Sequence, residues 1–335
     1  MSGRPRYLAR RIGWALVTIL VVITFNFVLF RVLPGDPAKQ GAKDPRLNPD
    51  TQAALTERFG LDKPLFLNIG SGEPFDSQYF IYIGALLQGD LGTSYASPDK
   101  TVGELLGDAL INTLWLVIPS QFLSILFGIV LGLIAAWRRG RATDVGSLAF
   151  SLFMWSLPTF FLGIILLFVG ARYFDLPIGG KQTIGAEYAT IFEAAADLFV
   201  HLLLPTLTLT LVLLGEYMLI MRSSVLDVFS EDYILTAKAK GLSTYRIIRG
   251  HALRNAMLPM VTLIAINLAF TVSGAIQVEE VFSWPGLGHL TVEAVSERDY
   301  PVLQGAFLLL AVAVVFANLA ADLIYGWLDP RITEA

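Results

Sequence analysis

Residues 109–137 read ALINTLWLVIPSQFLSILFGIVLGLIAAW, without one charged side chain. A bilayer core about 30 Å thick is crossed by roughly 20 apolar residues in a helix rising about 1.5 Å per residue. The run therefore spans a membrane with length to spare, so that tilt, or helix continuing past the lipid, is expected. Uncharged runs recur at Ile12–Phe30, Val145–Ala171, Asn255–Val278 and Tyr300–Ala321, and Leu198–Met221 is interrupted only by His201 and Glu216. Of the 335 residues 55% are hydrophobic and only 16% charged, with a mean hydropathy of +0.62. Charge confined between long apolar runs defines an all-α integral membrane protein, here of six transmembrane helices. The first run is too long for a signal-peptide core and reads as a retained helix. The absence of cysteine excludes disulfides, thiolate metal sites and cysteine nucleophiles.

Lysine and arginine set the expected orientation. Arg4, Arg6, Arg10 and Arg11 precede the first span; Arg138, Arg139 and Arg141 follow the second; Arg222, Lys238, Lys240, Arg246, Arg249 and Arg254 follow the fourth. These 13 stand against three in the two short loops on the other side, Arg172, Lys181 and Arg298. The positive-inside rule then puts both termini in the cytoplasm of a multi-pass protein of the cytoplasmic (inner) cell membrane. The expected division is a cytoplasmic N-terminus 1–11, a first span 12–33, a small extracytoplasmic cap 34–108, and a second span 109–137. A cytoplasmic loop 138–144, a third span 145–172, an outer loop 173–197 and a fourth span 198–222 follow. A long cytoplasmic loop 223–254, a fifth span 255–278, an outer loop 279–299, a sixth span 300–327 and a tail 328–335 complete the chain, with 109–327 as the membrane core. Pro119, Pro158 and Pro205 lie in or near the starts of spans, where neighbouring helices can satisfy the freed carbonyls.

The cytoplasmic loop 223–254 carries helix punctuation twice. Ser230 is placed to cap a helix opened by Glu231 and Asp232 and closed by Lys238, Lys240 and Gly241. Ser243 is placed to cap a second one running through Tyr245, Ile247, Ile248 and Leu253 toward Pro259. Two short helices meeting at a glycine form a protrusion that transmits force, whereas a tether does not. The other reading of the same signals is a solvated basic loop.

The stretch Asp232-Tyr233-Ile234-Leu235-Thr236-Ala237-Lys238-Ala239-Lys240-Gly241-Leu242 resembles the EAA loop of binding-protein-dependent ABC importer permeases. Its continuation from His251 to Pro259 resembles the dipeptide/oligopeptide/nickel branch, and most of all the first (DppB/OppB-like) permease of each pair. The same is true of Leu33-Pro34-Gly35-Asp36-Pro37, Phe59–Pro64, Gly89-Asp90-Leu91-Gly92, Phe282–Gly288, Arg298-Asp299-Tyr300-Pro301 and Leu328–Arg331, in the family's order along nearly the whole chain. The resemblance implies a fold like that of type I ABC importer permeases. It also implies an ATPase coupling site at Tyr233, Leu235, Thr236, Ala237, Lys238, Ala239, Lys240 and Gly241. Ala237, Ala239 and Gly241 would let backbones approach, and Lys238 and Lys240 would face acids on the partner's rim. The implied partners are a second homologous permease (DppC/OppC-like), one or two ATP-binding subunits, an extracytoplasmic substrate-binding protein and the lipid bilayer. No cofactor is expected on this chain, ATP and magnesium belonging to the ATPase subunits. Two departures stand out: Leu235-Thr236-Ala237 replaces the generic Glu-Ala-Ala, and Glu216-Tyr217-Met218-Leu219 stands where many peptide permeases carry an arginine. The second bears on the substrate, for which peptides come first and short oligosaccharides or nickel chelates are the alternatives.

Other residues point to chemistry less directly. Gly180-Lys181 is followed by Gln182 and lacks the glycine spacing of a P-loop, so no nucleotide site is expected here. His201, His251 and His289 share no ligand spacing, and nothing marks a nucleic-acid partner. Glu216, Gln121, Asn267 and Gln277 are candidates for a transport pathway, because charge and amides at membrane depth face a cavity or one another. Asn26, Asn112 and Asn318 are open to the same two readings. Trp284, Pro285 and Gly286 form either a re-entrant element reaching toward a bound substrate protein or an interfacial turn with Trp284 at headgroup depth. Gly128-Ile129-Val130-Leu131-Gly132 marks a close helix contact. A stand-alone secondary transporter or channel would need paired ionisable residues in mid-membrane or inverted halves, and a membrane-embedded hydrolase a nucleophile with its base. Neither pattern is present in the sequence.

Overall fold

The computed structural model describes residues 3–31, 48–59, 62–69 and 73–328. Of the landmarks above, Leu33–Pro37, Gly60, Leu61 and Asp329–Arg331 lie outside them. The elements are α1 (Gly3–Arg31), α2 (Pro49–Phe59), α3 (Gln78–Leu87), α4 (Val102–Trp137), α5 (Ala142–Ser156), α6 (Thr159–Phe174) and α7 (Ile191–Phe229). Beyond these come α8 (Asp232–Ala239), α9 (Thr244–Ile247), a π turn (Ile248–Ala252), α10 (Leu253–Gly274), α11 (Ile276–Val281), α12 (Leu287–Glu297) and α13 (Tyr300–Leu328). Among the described residues, α1, α4, α7 and α13 are each long and apolar enough to cross a membrane. The bent pair α5–α6 is apolar enough for a further span when its two halves are taken together, and α10, with a described apolar part over Leu253–Ile264, lies where the fifth was expected.

The single span expected over 145–172 is in fact two helices meeting at 103°. Pro158 has no N–H to donate and drives the residue before it out of the helical region. Leu157 is accordingly extended, with φ −76° and ψ 130°. The two halves then seek different partners on α7. The Ser151 carbonyl presses on Gly215, where a Cβ would lie 2.7 Å away, and Gly170 accommodates Leu204.

Helices α4 and α7 both run past the apolar segments that mark them in the sequence. At Thr101 the side-chain oxygen accepts the Glu104 N–H (3.2 Å) while the Glu104 carboxylate accepts the Thr101 N–H (3.0 Å). This capping box starts α4 at Val102, so the helix begins seven residues before the uncharged run. Thr190 similarly opens α7, which absorbs 191–197 from the outer loop and 223–229 from the cytoplasmic one. At 36 and 39 residues these helices are roughly 54 and 58 Å long, well beyond the lipid core.

Helices α4 and α7 make the most extensive helix contact in the molecule. On α4 the contact runs along Ser120, Ser124, Gly128 and Gly132, all buried and four residues apart. Ser124 Oγ donates to the Thr210 carbonyl across the interface (3.2 Å), and Thr210 Oγ1 to the Ser120 carbonyl (3.5 Å). At Gly128 a Cβ would collide with the Tyr217 Cβ; at Gly132 it would meet the Met221 Cβ at 2.7 Å and the Met218 carbonyl at 2.8 Å. In lipid no hydrophobic force separates helix from solvent, so close packing by small residues and such hydrogen bonds hold the pair together. At the periphery α1 and α13 run antiparallel. Arg11 pairs with Asp322 (2.8 Å) at one end, and Asn26 Nδ2 donates to the Gln304 carbonyl (3.0 Å) toward the other.

Adding one methyl at Gly132 forces backbone apart and costs about 1–3 kcal/mol by overpacking. Gly132→Ala is expected to lower the thermal midpoint of the detergent-solubilised protein by several degrees. Gly13→Ala, where a Cβ meets nothing within 4 Å, leaves it unchanged; equal midpoints for both variants would contradict this packing.

Candidate functional site

The loop after α7 is a built structure. Glu231, not Ser230, occupies the position before α8, and the Ser230 hydroxyl instead donates back to the Asp227 carbonyl (2.6 Å), closing α7. Helix α8 ends on Gly241 at φ +75°, with the Gly241 N–H bonded to the Lys238 carbonyl (2.9 Å) and the Leu242 N–H to that of Ala237 (3.3 Å). That pair of bonds is a Schellman motif, which needs the left-handed residue that glycine supplies without strain. The second helix is not separate: α9, the π turn and α10 follow one another without a break from Thr244.

The inner face of α8 buries Ile234 and Ala237 against Ile247 and Ala252, with Val228, Phe229 and Leu242 around them. Ala237 therefore faces its own chain, contrary to the expectation that it lies open to a partner. Lys238, itself exposed, has its Nζ 5.7 Å from the centre of the Phe229 ring. Tyr233, Leu235, Thr236, Ala239, Lys240 and Gly241 remain exposed. Tyr233 OH accepts a hydrogen bond from Asn255 Nδ2 (2.6 Å), tying α8 to the start of α10.

Three of the four pathway candidates come together. Asn267 Nδ2 on α10 donates to Glu216 Oε2 on α7 (2.9 Å), and Tyr217 OH donates to Gln121 Oε1 on α4 (2.9 Å). Asn267 also hydrogen-bonds Tyr217, so a polar string crosses from α4 through α7 to α10. Gln277 does not join it; it is exposed on α11. A cavity of about 380 Å³ between α3 and α13 also lies elsewhere, lined by residues such as Gln78, Tyr82, Gln304 and Leu308.

At the far end of α4 the structure assembles a node that sequence reasoning missed. Trp284 is fully buried, not interfacial, and its Nε1 donates to the Asn112 carbonyl (2.9 Å). The Asn112 side chain donates to the Pro285 carbonyl (2.8 Å) and accepts from Lys181 Nζ (2.7 Å). Glu279, also fully buried, accepts from Thr113 Oγ1 (2.7 Å) and from the backbone N–H groups of Gly288 (2.6 Å) and His289 (3.2 Å) at the start of α12. Thr113 in turn accepts the Leu287 N–H (2.8 Å). Burial pushes the Glu279 carboxyl above the ordinary carboxylate range, opposed by these hydrogen bonds. Gly286 and Gly288 back directly onto the carboxylate, where no Cβ fits. The Gly-x-Gly of 286–288 was the sequence signal for this close approach, and Glu279 next to Glu280 gave no sign of its burial. A second unforeseen pair lies at the opposite end, where buried Asp144 takes a bidentate bond from Arg222 (2.5 and 2.9 Å) and the Gly140 N–H (2.9 Å).

Nothing in these constellations pairs a nucleophile with a base; buried bonds join helices, and one stub projects. The arrangement is that of a helical membrane protein. Residues 128–334 match the family described as binding-protein-dependent transport system inner membrane component, and residues 5–116 match its N-terminal counterpart. The chain belongs to this family and is a multi-pass inner membrane protein. Among its relatives, the glutathione transport system permease protein GsiC of Salmonella choleraesuis is 36% identical over 326 residues, covering 97% of this chain and 98% of its own. The dipeptide transport system permease protein DppB of Escherichia coli K12 is 34% identical over 348 residues, covering 98% of each. The di/tripeptide transport system permease protein DppB of Pseudomonas aeruginosa is 35% identical over 340 residues, covering 97% and 98%. The fold is shared with a chain of the MetNI methionine ABC transporter in inward-facing conformation, at a TM-score of 0.53 and 19% identity, over 67% of this chain and 96% of that one.

Replacing Glu279 by leucine leaves the Thr113 hydroxyl and two backbone N–H groups without their acceptor, each worth about 1–3 kcal/mol when buried unsatisfied. Glu279→Leu is expected to expose residues 282–297 to protease in membranes, whereas Glu279→Gln, which keeps one acceptor oxygen, resists at least tenfold longer, about the factor that 1.4 kcal/mol gives. Identical digestion of the two would refute the node.

Proposed function

We propose that this chain is one half of the pathway of an ATP-driven importer for short peptides, working by alternating access. The observation that carries the reading is the construction of residues 223–254. Helix α8 is fixed to the body by its apolar face and leaves Tyr233, Leu235, Lys240 and Gly241 outside, on a stub that continues into α10. A groove on a separate ATPase subunit receives that rim, and ATP and magnesium are held there. The excess of basic residues supports placing this loop and both termini in the cytoplasm. The remaining partners are a second homologous permease across the pathway and an extracytoplasmic binding protein that delivers the substrate.

The same helices connect the stub to the polar string. Closure of two ATPases displaces α8, and with it α10, which carries Asn267, and α7, which carries Glu216 and Tyr217. Peptides are the favoured substrate because the relatives matched over nearly their whole length are named for glutathione, dipeptides and di- or tripeptides. Uptake by the complete transporter in liposomes, with binding protein and ATP, tests this: labelled di- and tripeptides are taken up, and short oligosaccharides or nickel chelates are not. Uptake of the latter alone would reassign the substrate. Uptake by this chain without any ATPase would overturn the whole reading.

Gly241 offers a finer test. Its Cβ position meets nothing within 4 Å, so a substitution acts through the left-handed backbone, which costs an ordinary residue about 1–2 kcal/mol. Asparagine adopts that conformation and valine does not. Gly241→Asn is expected to transport normally, and Gly241→Val to lose about tenfold in peptide moved per ATP hydrolysed, the factor that 1.4 kcal/mol supplies, while still inserting in the membrane. Undiminished coupling in Gly241→Val would remove α8 from this role.

A further inference from the structure

The segment after α1 was expected to form a small folded extracytoplasmic cap. Its contacts place part of it lower. Tyr79 OH is hydrogen-bonded to Thr24 Oγ1 (2.7 Å), and Tyr82 OH accepts from Asn26 Nδ2 (3.2 Å). Phe27, wholly buried, is surrounded by the rings of Phe66, Tyr79 and Tyr82 at 5.2–5.7 Å. The uncharged run of α1 continues to Phe30, and Arg31 is the first charge. Thr24 and Phe27 lie six and three residues inside that limit, which at about 1.5 Å per residue is roughly 9 and 5 Å below the edge of the apolar layer. The cap residues bonded to them share that depth.

The outward face of this part is largely apolar, with Glu73 its one exposed charge among the described residues and Asp76 half-buried. Phe66, Leu67, Phe75 and Leu87 are exposed, Leu87 to 84%. Helix α3 itself, QYFIYIGALL, carries no charge. The nearest ion pair, Lys63 with Asp76 (2.5 Å), lies just before it, where a long lysine stem can reach the headgroups. The Tyr79 and Tyr82 rings are apolar bodies with a bonded hydroxyl, the residue type that settles at a membrane interface. On α1 itself, Val17, Leu20, Val21 and Phe25 are exposed. Helices that lie in an interface sink their apolar face by about 5–10 Å, which agrees with the depth set by Thr24 and Phe27.

We propose that residues 66–69 and 73–87 are membrane-immersed, lying in the interfacial layer of the leaflet at the C-terminal end of α1, with Leu67, Phe75 and Leu87 in contact with lipid. The partner is the bilayer itself, not a soluble protein.

The absence of cysteine makes any introduced thiol unique in the chain. Leu67→Cys, Phe75→Cys and Leu87→Cys, each carrying a nitroxide, are measured in the full-length protein in phospholipid nanodiscs, alone and assembled with its partner subunits. Collisions with molecular oxygen, which concentrates in lipid, are compared with collisions with a water-soluble nickel chelate. Val21→Cys, on the exposed face of α1, and Asp99→Cys, exposed just before α4, serve as lipid and water references and report that the fold is intact. Oxygen collisions exceeding nickel collisions at Leu67 and Phe75, as at Val21, are the expected result. Nickel-dominated collisions at these positions, as at Asp99, would overturn the proposal. Low collision rates with both reagents in the assembled transporter, which a protein seated on this face would give, would overturn it equally.

Discussion

The close approach of α4 and α7 is the constraint on which the rest of this molecule depends. Ser120, Ser124, Gly128 and Gly132 bring the two backbones together along four successive turns. In lipid that contact cannot be replaced by burying more leucine, because the solvent is already apolar; only shape and interhelical hydrogen bonds distinguish one packing from another. Each helix then carries a functional element at its ends. Helix α4 presents Asn112 and Thr113 to the Trp284–Leu287 turn at one end and leads into the Gly140–Asp144 corner at the other. Helix α7 brings Arg222 to that corner and hands the chain on to α8. Both extend well past the apolar layer, so a displacement at one end is carried through a stiff pair rather than absorbed in a loop.

That stiffness gives the polar string its meaning. Gln121, Tyr217, Asn267 and Glu216 belong to three helices, two of them attached directly to the stub around α8. A string of hydrogen bonds between rigid bodies has few arrangements: its members stay paired, or they part together and must find new partners. An ionisable group at such a place is costly unless a partner or water receives it. Glu216, half-buried, takes its hydrogen bond from Asn267 across the α7–α10 contact. The fully buried node around Glu279 has the opposite character, since three donors and two glycines fix the carboxylate in one position. The molecule therefore joins a locked end to an end that can re-pair.

Much of the fold was legible in the sequence because lipid imposes one solution on the backbone. Without water to satisfy N–H and C=O groups, an uncharged run of sufficient length is a helix, and Ala109–Trp137 or Tyr300–Ala321 admitted no other reading. The glycine pair at 128 and 132 and the terminator at Gly241 were legible for the same local reason. What was not legible depended on partners. Pro119, Pro205 and Pro259 sit inside continuous helices, yet Pro158 breaks its span; the residue type is the same, and packing of the two halves on α7 decides. Glu216, Gln121 and Asn267 could be named one by one, but their meeting required the relative rotation of three helices. Asp144 and Glu279 read as loop acids because hydropathy counts a charge and cannot see the arginine or the backbone N–H groups waiting for it.

The cap shows the same limit from the other side. Its sequence alternates short apolar stretches with turn residues, which fits a small aqueous domain as well as an interfacial one. The distinction lies in depth, and depth is set by which residues of α1 it touches. Bonds to Thr24 and Asn26, inside the apolar run, separate the two readings where composition does not. An element anchored at that level braces α1 and, through the Asn26–Gln304 bond, α13. Helix α13 is packed besides against α10, α12 and α4, whereas α13 is the main helical partner of α1. Immersion of the cap would therefore serve the frame against which α4, α7 and α10 move: the helices that shift need neighbours that do not, and an apolar face held by the leaflet resists displacement in the one direction, along the membrane normal, that helix packing alone leaves soft.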